Sequence, residues 1–404
     1  MINTLLSAYT IHILRIIVPF LIFPILSSRL NENNFGIYIY IVSLSAWFSI
    51  AIEYSFRTTG IKIINQEKEV NDVVWGVFFA KIIMSILIIP FVFFLYKINA
   101  THSQYYGWYI VGWGVALLNG LSPYFYYLNY KRLDYLAKVE LISWSFFILL
   151  IILYIESDED VILLQLLLLL TRVFCLFFQS KNIYFRPVDI KMTIYKSLQY
   201  LKYGRGIFFF QFVISLYTSF NIVIVGHFCS LKEVALYGCA ERFIRVGVGF
   251  LSQTGSVAYS KLERIKYKKI EIKKTRELTF IFLMLVSVFG VFFTYYLSPF
   301  MIDVIFGYEY KDAITFIRVM ALAFPAIAVS NTLGYQVFVF YDQIKDLNTI
   351  MLIAALISMI SGVILVSKFG ALAMACVWVS VEWLISLSMV IYYYFKKEDF
   401  NEEI

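Results

Sequence analysis

Charged side chains are scarce in this chain, because only 15% of its 404 residues are Asp, Glu, Lys or Arg. Hydrophobic residues make up 61% of the sequence, and the mean hydropathy is +0.78. A soluble protein of this length could not bury so much apolar surface in its core, so the soluble classes are excluded. The composition predicts an all-α integral membrane protein.

Cysteine and histidine are rare as well, with four and three residues. Neither set shows the close spacing of a metal site, so we expect packed thiols rather than disulfides or metal ligands, and no cofactor. The start of the chain lacks the basic segment and cleavage site of a signal peptide, so the first apolar run is interpreted as a retained helix. The scattered cysteines are Cys175, Cys229, Cys239 and Cys376.

Apolar runs long enough to cross a bilayer recur along the whole sequence. Charges and turn residues separate them into about twelve predicted membrane spans. These spans lie near residues 5–27, 35–57, 73–96, 106–129, 138–155, 160–179, 204–228, 234–260, 278–301, 313–341, 346–366 and 370–395.

Two segments half a chain apart resemble each other. Residues 30–38 read LNENNFGIY and residues 229–237 read CSLKEVALY, an offset of 199 positions. This repeat predicts two six-helix bundles that are related as parallel repeats and enclose a central cavity. We expect an N-terminal bundle at 1–180, a basic cytoplasmic linker at 181–203, a C-terminal bundle at 204–395 and a cytoplasmic tail at 396–404.

The distribution of Lys and Arg predicts the orientation. If the N-terminus is cytoplasmic, most basic residues fall in the inner connections. We therefore expect both termini to be cytoplasmic. The net charge of +7 is then explained by basic inner loops that face anionic lipid, and no nucleic-acid partner is required. The outer connections would hold only Arg29, Lys97, Lys232, Lys311 and Lys368.

Six cationic residues lie inside the predicted spans, where each costs about 2.5–3.5 kcal/mol unless it is paired or hydrated. For three of them we favour contact with an interface or a neighbour. Arg15 and the pair Arg242/Arg245 lie nearer the middle of their spans and are candidates to line a polar cavity. The three cationic residues for which we favour contact with the membrane interface or a neighbouring side chain are Lys81, Arg172 and Arg318.

Other polar residues share faces with these arginines. His12 lies one turn from Arg15, and Glu241 lies one turn from Arg245, which it could neutralise. Gln211 opens a polar stripe on the seventh span, which suits either helix–helix contact or a cavity wall. Among the acidic residues, Glu53 and Glu382 are candidates for proton coupling. The competing interpretation is pairing with Arg57 or another cation.

Several motifs together resemble the Wzx-type O-antigen flippases. Residues 29–38, with Arg29-Leu30 and then FGIY, and residues 53–56 (EYSF) resemble the first two helices of that family. The second half agrees at 233–237 (EVALY), 306–313 (FGYEYKDA) and 369–373 (FGALA). Ser55 and Ala235 depart from the family pattern. The resemblance covers almost the whole chain and places it in the multidrug/oligosaccharidyl-lipid/polysaccharide exporter superfamily.

The resemblance implies a flippase for undecaprenyl-pyrophosphate-linked oligosaccharide repeat units in the bacterial inner membrane. A pyrophosphate needs cations in a hydrated path, which fits the arginines inside the spans. We expect Arg15 and Arg245 to converge on it. The expected partners are the lipid-linked oligosaccharide and the bilayer, with a polysaccharide polymerase and a chain-length regulator as further candidates.

Other classes fit the sequence less well. A multidrug antiporter of the same superfamily would favour acidic residues in its cavity, but the acids Glu53, Glu241 and Glu382 are outnumbered by cations. Lipid II flippases have two more helices. A membrane glycosyltransferase would need carboxylates that bind a metal at an outer loop, and the candidate at residues 158–160 is interpreted as a solvated acidic turn.

Overall fold

A computed structural model describes residues 18, 20–67, 69–99, 105–183, 186–265 and 268–396. Within these ranges every regular element is a helix. The α-helices are α1 (Glu32–Glu53), α2 (Phe56–Gln66), α3 (Val70–Ile98), α4 (Tyr106–Gly120), α5 (Tyr124–Asn129), α6 (Leu133–Tyr154), α7 (Val161–Ser180), α8 (Ile190–Thr218), α9 (Asn221–Phe228), α10 (Leu231–Arg264), α11 (Lys269–Ile305), α12 (Ala313–Ala321), α13 (Phe324–Leu333), α14 (Ile344–Phe369) and α15 (Ala371–Phe395).

Eight helical stretches in the described part of the chain are long and apolar enough to cross a membrane, or nine if the bent pair α8 and α9 is one span. Each overlaps a predicted span, so the all-α membrane fold is confirmed. The first predicted span lies mostly outside the described residues, and the span 106–129 is divided between α4 and α5. The span 234–260 lies in α10, which is not one of the eight and carries three charges near its middle.

Contacts between Cα atoms divide the chain into two groups, Met1–Ala235 and Leu236–Ile404. The predicted bundle boundary at 180–204 stays a prediction. The predicted basic linker is helical in its second part, because α8 begins at Ile190 and continues to Thr218.

In the first group, α1 and α4 lie parallel and in close contact. A Cβ on Gly112 would lie 2.9 Å from Ile41, and one on Gly120 would lie 2.5 Å from Ile52. Residue numbers therefore increase in the same direction along both helices. The Ser45 hydroxyl donates to the carbonyl of Gly112 at 2.9 Å. Small residues thus allow the two backbones to approach and exchange polar contacts.

Besides the bend between α8 and α9, two further helical stretches in this group are interrupted, between α1 and α2 and between α4 and α5. Helix α1 ends at Glu53, and Tyr54 follows with φ +58°, a conformation that is unusual for a residue with a side chain. The chain then re-enters a helix after Ser55, whose hydroxyl donates to the carbonyl of Gly204 at 3.1 Å. The second break separates α4 from α5, with Pro123 as the residue before α5.

The N-termini of α1 and α10 are capped at positions that differ by the repeat offset. The Asn31 side chain accepts from the Asn34 amide at 2.8 Å. At the equivalent positions, Ser230 and Glu233 form a reciprocal cap with distances of 3.2 and 3.3 Å. The sequence repeat therefore coincides with a repeat of local structure.

The same two helix starts are in contact. Lys232 forms an ion pair with Glu32 at 2.9 Å, and a Cβ on Gly36 would lie only 2.0 Å from the Leu231 carbonyl oxygen. Glycine at position 36 therefore permits a close approach of α1 to the start of α10.

In the second group, one span is assembled from three helical pieces. Helices α12 and α13 are separated by a short turn, and α13 continues into a π-helix at Gly334–Val339. Helix α11 packs against α12 and α13, and α14 packs against α15. These contacts bury the apolar faces that define the core of this group.

Candidate functional site

The predicted cationic site in the second group centres on Arg245. Its Nε atom donates to Glu241 Oε1 at 3.0 Å, and its Nη2 atom also contacts that oxygen. Glu382 of α15 interacts electrostatically with the same guanidinium. Three of the residues singled out in the sequence therefore lie together, on two helices that are more than 100 positions apart.

The exposure of this cluster is uneven. The Arg245 side chain is 39% exposed although it is ion-paired, whereas the Glu241 side chain is only 14% exposed. A guanidinium has five N–H donors, which is more than one carboxylate accepts. Arg245 is therefore anchored by Glu241 and is still partly accessible.

The other predicted site residues are not assembled with Arg245. Arg242 is half-buried on the same helix, about 60° away from Arg245 on an ideal α-helix. Gln211 is half-buried on α8 in the first group. His12 and Arg15 lie outside the described residues, so their convergence with Arg245 stays a prediction.

The polar stripe that Gln211 opens is partly engaged in helix contact. The Ser215 hydroxyl accepts from the Trp47 indole N–H at 3.1 Å and donates to the Phe212 carbonyl at 2.6 Å. Thr218 donates to the Ile214 carbonyl at 3.0 Å. Of the two interpretations, helix–helix contact therefore holds for Ser215.

A second charged cluster lies in the first group, where α1 is followed by α2 and α4 is followed by α5. Lys81 is only 2% exposed, and its Nζ atom donates to the Ser122 carbonyl at 2.9 Å. Glu53, the last residue of α1, interacts electrostatically with this ammonium group. Arg57 was one candidate cation for Glu53, but the Arg57 guanidinium lies over the Tyr124 ring at 3.9 Å. The structure therefore favours Lys81 as the cation associated with Glu53.

The remaining cations inside spans have structural partners, as expected. Arg172 lies 3.8 Å from Glu140 and 3.8 Å from the centroid of the Trp144 ring. Arg318 donates to the Tyr295 carbonyl at 3.2 Å. Both side chains are thus held by neighbouring helices.

The acidic turn at 156–160 is tied to the start of α1 through one residue. Asp158 accepts from the Asn31 backbone at 2.7 Å and from the Asn34 side chain at 3.0 Å. Close by, Arg29 donates to the carbonyls of Ile151 and Ile152 at the end of α6, both at 3.1 Å. Asp158 therefore joins α1 to this turn, while Glu159 is exposed in agreement with a solvated turn.

Sequence reasoning missed a buried polar network in the first group. The Asn99 amide donates to the hydroxyls of Tyr40 at 3.2 Å and Tyr109 at 3.0 Å. The Asn99 carbonyl oxygen contacts His227 Nδ1. No spacing rule links these residues, since they come from four separate parts of the chain.

Sequence reasoning also missed a cavity of about 310 Å³ at the end of α11. The Tyr308 ring is 73% exposed there, and the Lys311 ammonium lies 5.1 Å from its centroid. The lining residues are Pro299, Phe300, Ile302, Asp303, Tyr308, Lys311 and Ile314. The only signal in the sequence was the motif at 306–313, which suggested a family and not a cavity.

The fold is shared with transporters of known structure. A lipid II flippase, MurJ, in an inward closed conformation superimposes with a TM-score of 0.78 at 14% identity, over 96% of this chain and 87% of MurJ. An inward-facing multidrug resistance MATE transporter of the MOP superfamily gives a TM-score of 0.69 at 13% identity, over 95% and 96% of the two chains.

Two relatives share sequence along nearly the whole length. A protein of Escherichia coli (strain K12) named "Putative O-antigen transporter" is 22% identical over 396 residues, which is 93% of this chain and 92% of the relative. A protein of Shigella dysenteriae with the same name is 18% identical over 408 residues, 96% of this chain and 98% of the relative.

A family description provides the assignment. The family described as polysaccharide biosynthesis protein matches residues 25–315, which include most of the first helix group, nearly half of the second, and both Lys81 and Arg245. The match covers more than half of the chain. This multi-pass membrane protein therefore belongs to the polysaccharide biosynthesis protein family.

Proposed function

We propose that the chain is a flippase that moves undecaprenyl-pyrophosphate-linked O-antigen or polysaccharide repeat units from the cytoplasmic to the periplasmic leaflet of the bacterial inner membrane. Membership of a polysaccharide biosynthesis family, relatives named as O-antigen transporters and a fold like that of a lipid II flippase support it. Translocation occurs by alternating access, and both termini are cytoplasmic.

The observation that supports this mechanism is that Arg245 is both ion-paired and partly exposed. Its side chain is oriented by Glu241 and still 39% exposed, so it is ordered before the substrate arrives and can accept a further anion. Arg binds phosphate oxygens through two parallel hydrogen bonds, which Lys cannot reproduce. In this proposal Arg245 holds the pyrophosphate together with Arg15, and Arg242, His12 and Gln211 contribute to the same path.

The carboxylates near these cations provide the coupling. Glu382 interacts with Arg245, and Glu53 interacts with Lys81, so protonation of either acid changes the charge around a cation. Such a change alters the relative stability of two conformations only if the acid has different surroundings in each. Flipping by the variants Glu53→Gln and Glu382→Gln should therefore lose its response to an imposed pH gradient. An unchanged response in both would remove the coupling proposal.

The binding role is tested by substitutions at Arg245. We expect Arg245→Ala to abolish export of the polysaccharide with normal protein level, and Arg245→Lys to restore export only in part. Lys261→Ala is the matched control, because Lys261 is exposed on the same helix and should be silent. Glu241→Ala should be milder than Arg245→Ala, since Arg245 keeps its substrate contact. Normal export by Arg245→Ala would contradict the proposed binding site.

Deletion of the gene in its host tests the activity itself. We expect complete lipid-linked repeat units to accumulate in the cytoplasmic leaflet and the intact gene to reverse the accumulation. The polymerase and chain-length regulator act after the flippase in this proposal, so unpolymerised units in the outer leaflet would contradict it. Increased drug sensitivity without a glycan phenotype would favour a multidrug antiporter.

A further inference from the structure

Lys81 occupies surroundings that resemble a cation site more than an ordinary ion pair. It lies inside the membrane-spanning helix α3, is 2% exposed, and donates to a backbone carbonyl rather than to a carboxylate. An ammonium ion buried in this way is stable only if other negative groups surround it, because isolated charges are costly at membrane depth.

Two helix ends provide such negative groups. Helix α1 ends at Glu53 and helix α4 ends at Gly120, and a Cβ on Gly120 would lie 3.5 Å from the Glu53 backbone nitrogen. Since α1 and α4 lie parallel, both direct their C-terminal carbonyls toward this junction. A helix C-terminus carries about half a negative charge and attracts cations. The Lys81 ammonium provides this cation, because its Nζ atom donates to the Ser122 carbonyl just beyond the end of α4.

Two further features distinguish this junction, a strained backbone conformation and an aromatic ring beside the ammonium. Tyr54 has φ +58° at the break after α1, a conformation that is strained for a non-glycine residue. The Phe125 ring centroid lies 5.7 Å from Lys81 Nζ and covers another side of the ammonium. The junction thus combines two interrupted helical stretches, a carboxylate, a backbone carbonyl that accepts from Lys81 and an aromatic face around one charge.

We propose that the α1–α2 break and the α4–α5 break together form a monovalent-cation site, and that Lys81 occupies this site as a tethered cation. In transporters, unwound carbonyls and the C-terminal ends of broken helices coordinate Na⁺ or accept protons. Here the chain supplies the cation itself. The proposal extends the proposed flippase function, because it implies that the first group needs no bound external cation, and it predicts that removal of the side chain leaves a site for a small cation.

The test measures cation binding by purified full-length protein in detergent, without substrate. Thermal unfolding of Lys81→Ala is followed in ammonium, methylammonium, sodium or N-methylglucamine chloride at equal ionic strength. We expect the three small cations to raise the unfolding temperature of Lys81→Ala by several degrees relative to N-methylglucamine, which is too large for the site. The wild type should not discriminate among these salts, because its site is filled.

Two control variants separate the site from general salt effects. Lys97→Ala removes an exposed cation from the same helix and should behave as the wild type. Lys81→Met fills the space with an apolar chain and should also show no preference for small cations. If Lys81→Ala responds no more than Lys97→Ala, the proposal is wrong.

A further variant covers the case in which Lys81→Ala does not accumulate. The double variant Lys81→Ala/Glu53→Gln removes the carboxylate that was left without its cation, so it should accumulate to a higher level than Lys81→Ala. A double variant as scarce as the single one would overturn the proposal. Because these measurements use no lipid-linked substrate, they can fail while flipping is intact, and flipping can fail while they succeed.

Discussion

Gly36→Ala tests the contact between the starts of α1 and α10. A Cβ at position 36 would lie 2.0 Å from the Leu231 carbonyl oxygen and 2.7 Å from its carbon, whereas real Cβ atoms essentially never approach closer than 3.0 Å. The obstacle is backbone, so the start of α10 must retreat by about 1 Å. Overpacking of this kind costs about 1–3 kcal/mol, more than the roughly 0.5–1 kcal/mol that alanine gains over glycine in a helix.

Gly206→Ala is the matched control for this substitution. Position 206 is exposed on α8, and a Cβ there would meet no atom within 4 Å. We expect the apparent unfolding temperature of purified Gly36→Ala to fall by several degrees and that of Gly206→Ala to stay level or rise. The retreat of α10 should also lengthen the Glu32–Lys232 ion pair. Equal stability of the two variants would refute the close approach on which the account of this junction depends.

Two further outcomes follow from contacts in the first group, and a third follows from the predicted topology. Arg29→Ala should lower stability by about 1–3 kcal/mol, because it removes charge-assisted hydrogen bonds to the carbonyls at the end of α6, and an unchanged unfolding temperature would contradict that role. Gly204→Ala should be destabilising, since its Cβ would lie 2.3 Å from the Ser55 hydroxyl, and Ser55→Gly should largely rescue it; failure of rescue in the double variant would exclude this clash as the cause. An impermeant thiol reagent applied outside the cell should label Glu159→Cys but not Lys191→Cys, both exposed positions, and the reverse pattern would invert the predicted topology.

Features that depend on a local run of sequence could be predicted. The apolar spans followed from composition alone, because a membrane requires long uninterrupted hydrophobic segments. The offset of 199 positions anticipated that Asn31/Asn34 and Ser230/Glu233 would occupy equivalent places, and both pairs cap a helix. The pairing of Arg245 with Glu241 followed from their spacing on one helix turn.

Contacts between distant spans could not be predicted in the same way. Glu53 was expected to pair with Arg57 or another cation if it had a structural role. The Arg57 guanidinium lies over the Tyr124 ring, and the cation associated with Glu53 comes from α3. The helix is interrupted at Tyr54, which has φ +58°, so helical spacing no longer indicates which side chains are neighbours. The approach of Glu382 to Arg245 depends on the packing of α15 against other helices, which no local pattern contains.

The central claim is best tested by flipping in proteoliposomes made from purified protein. Lipid-linked repeat units extracted from the host are incorporated in both leaflets, and a membrane-impermeant glycosidase is added outside. If the chain is a flippase, the enzyme should consume nearly all units in vesicles with wild-type protein but only the outer half in protein-free vesicles. Vesicles with Arg245→Ala should resemble the protein-free ones. Consumption limited to the outer half with correctly folded wild-type protein would contradict the account.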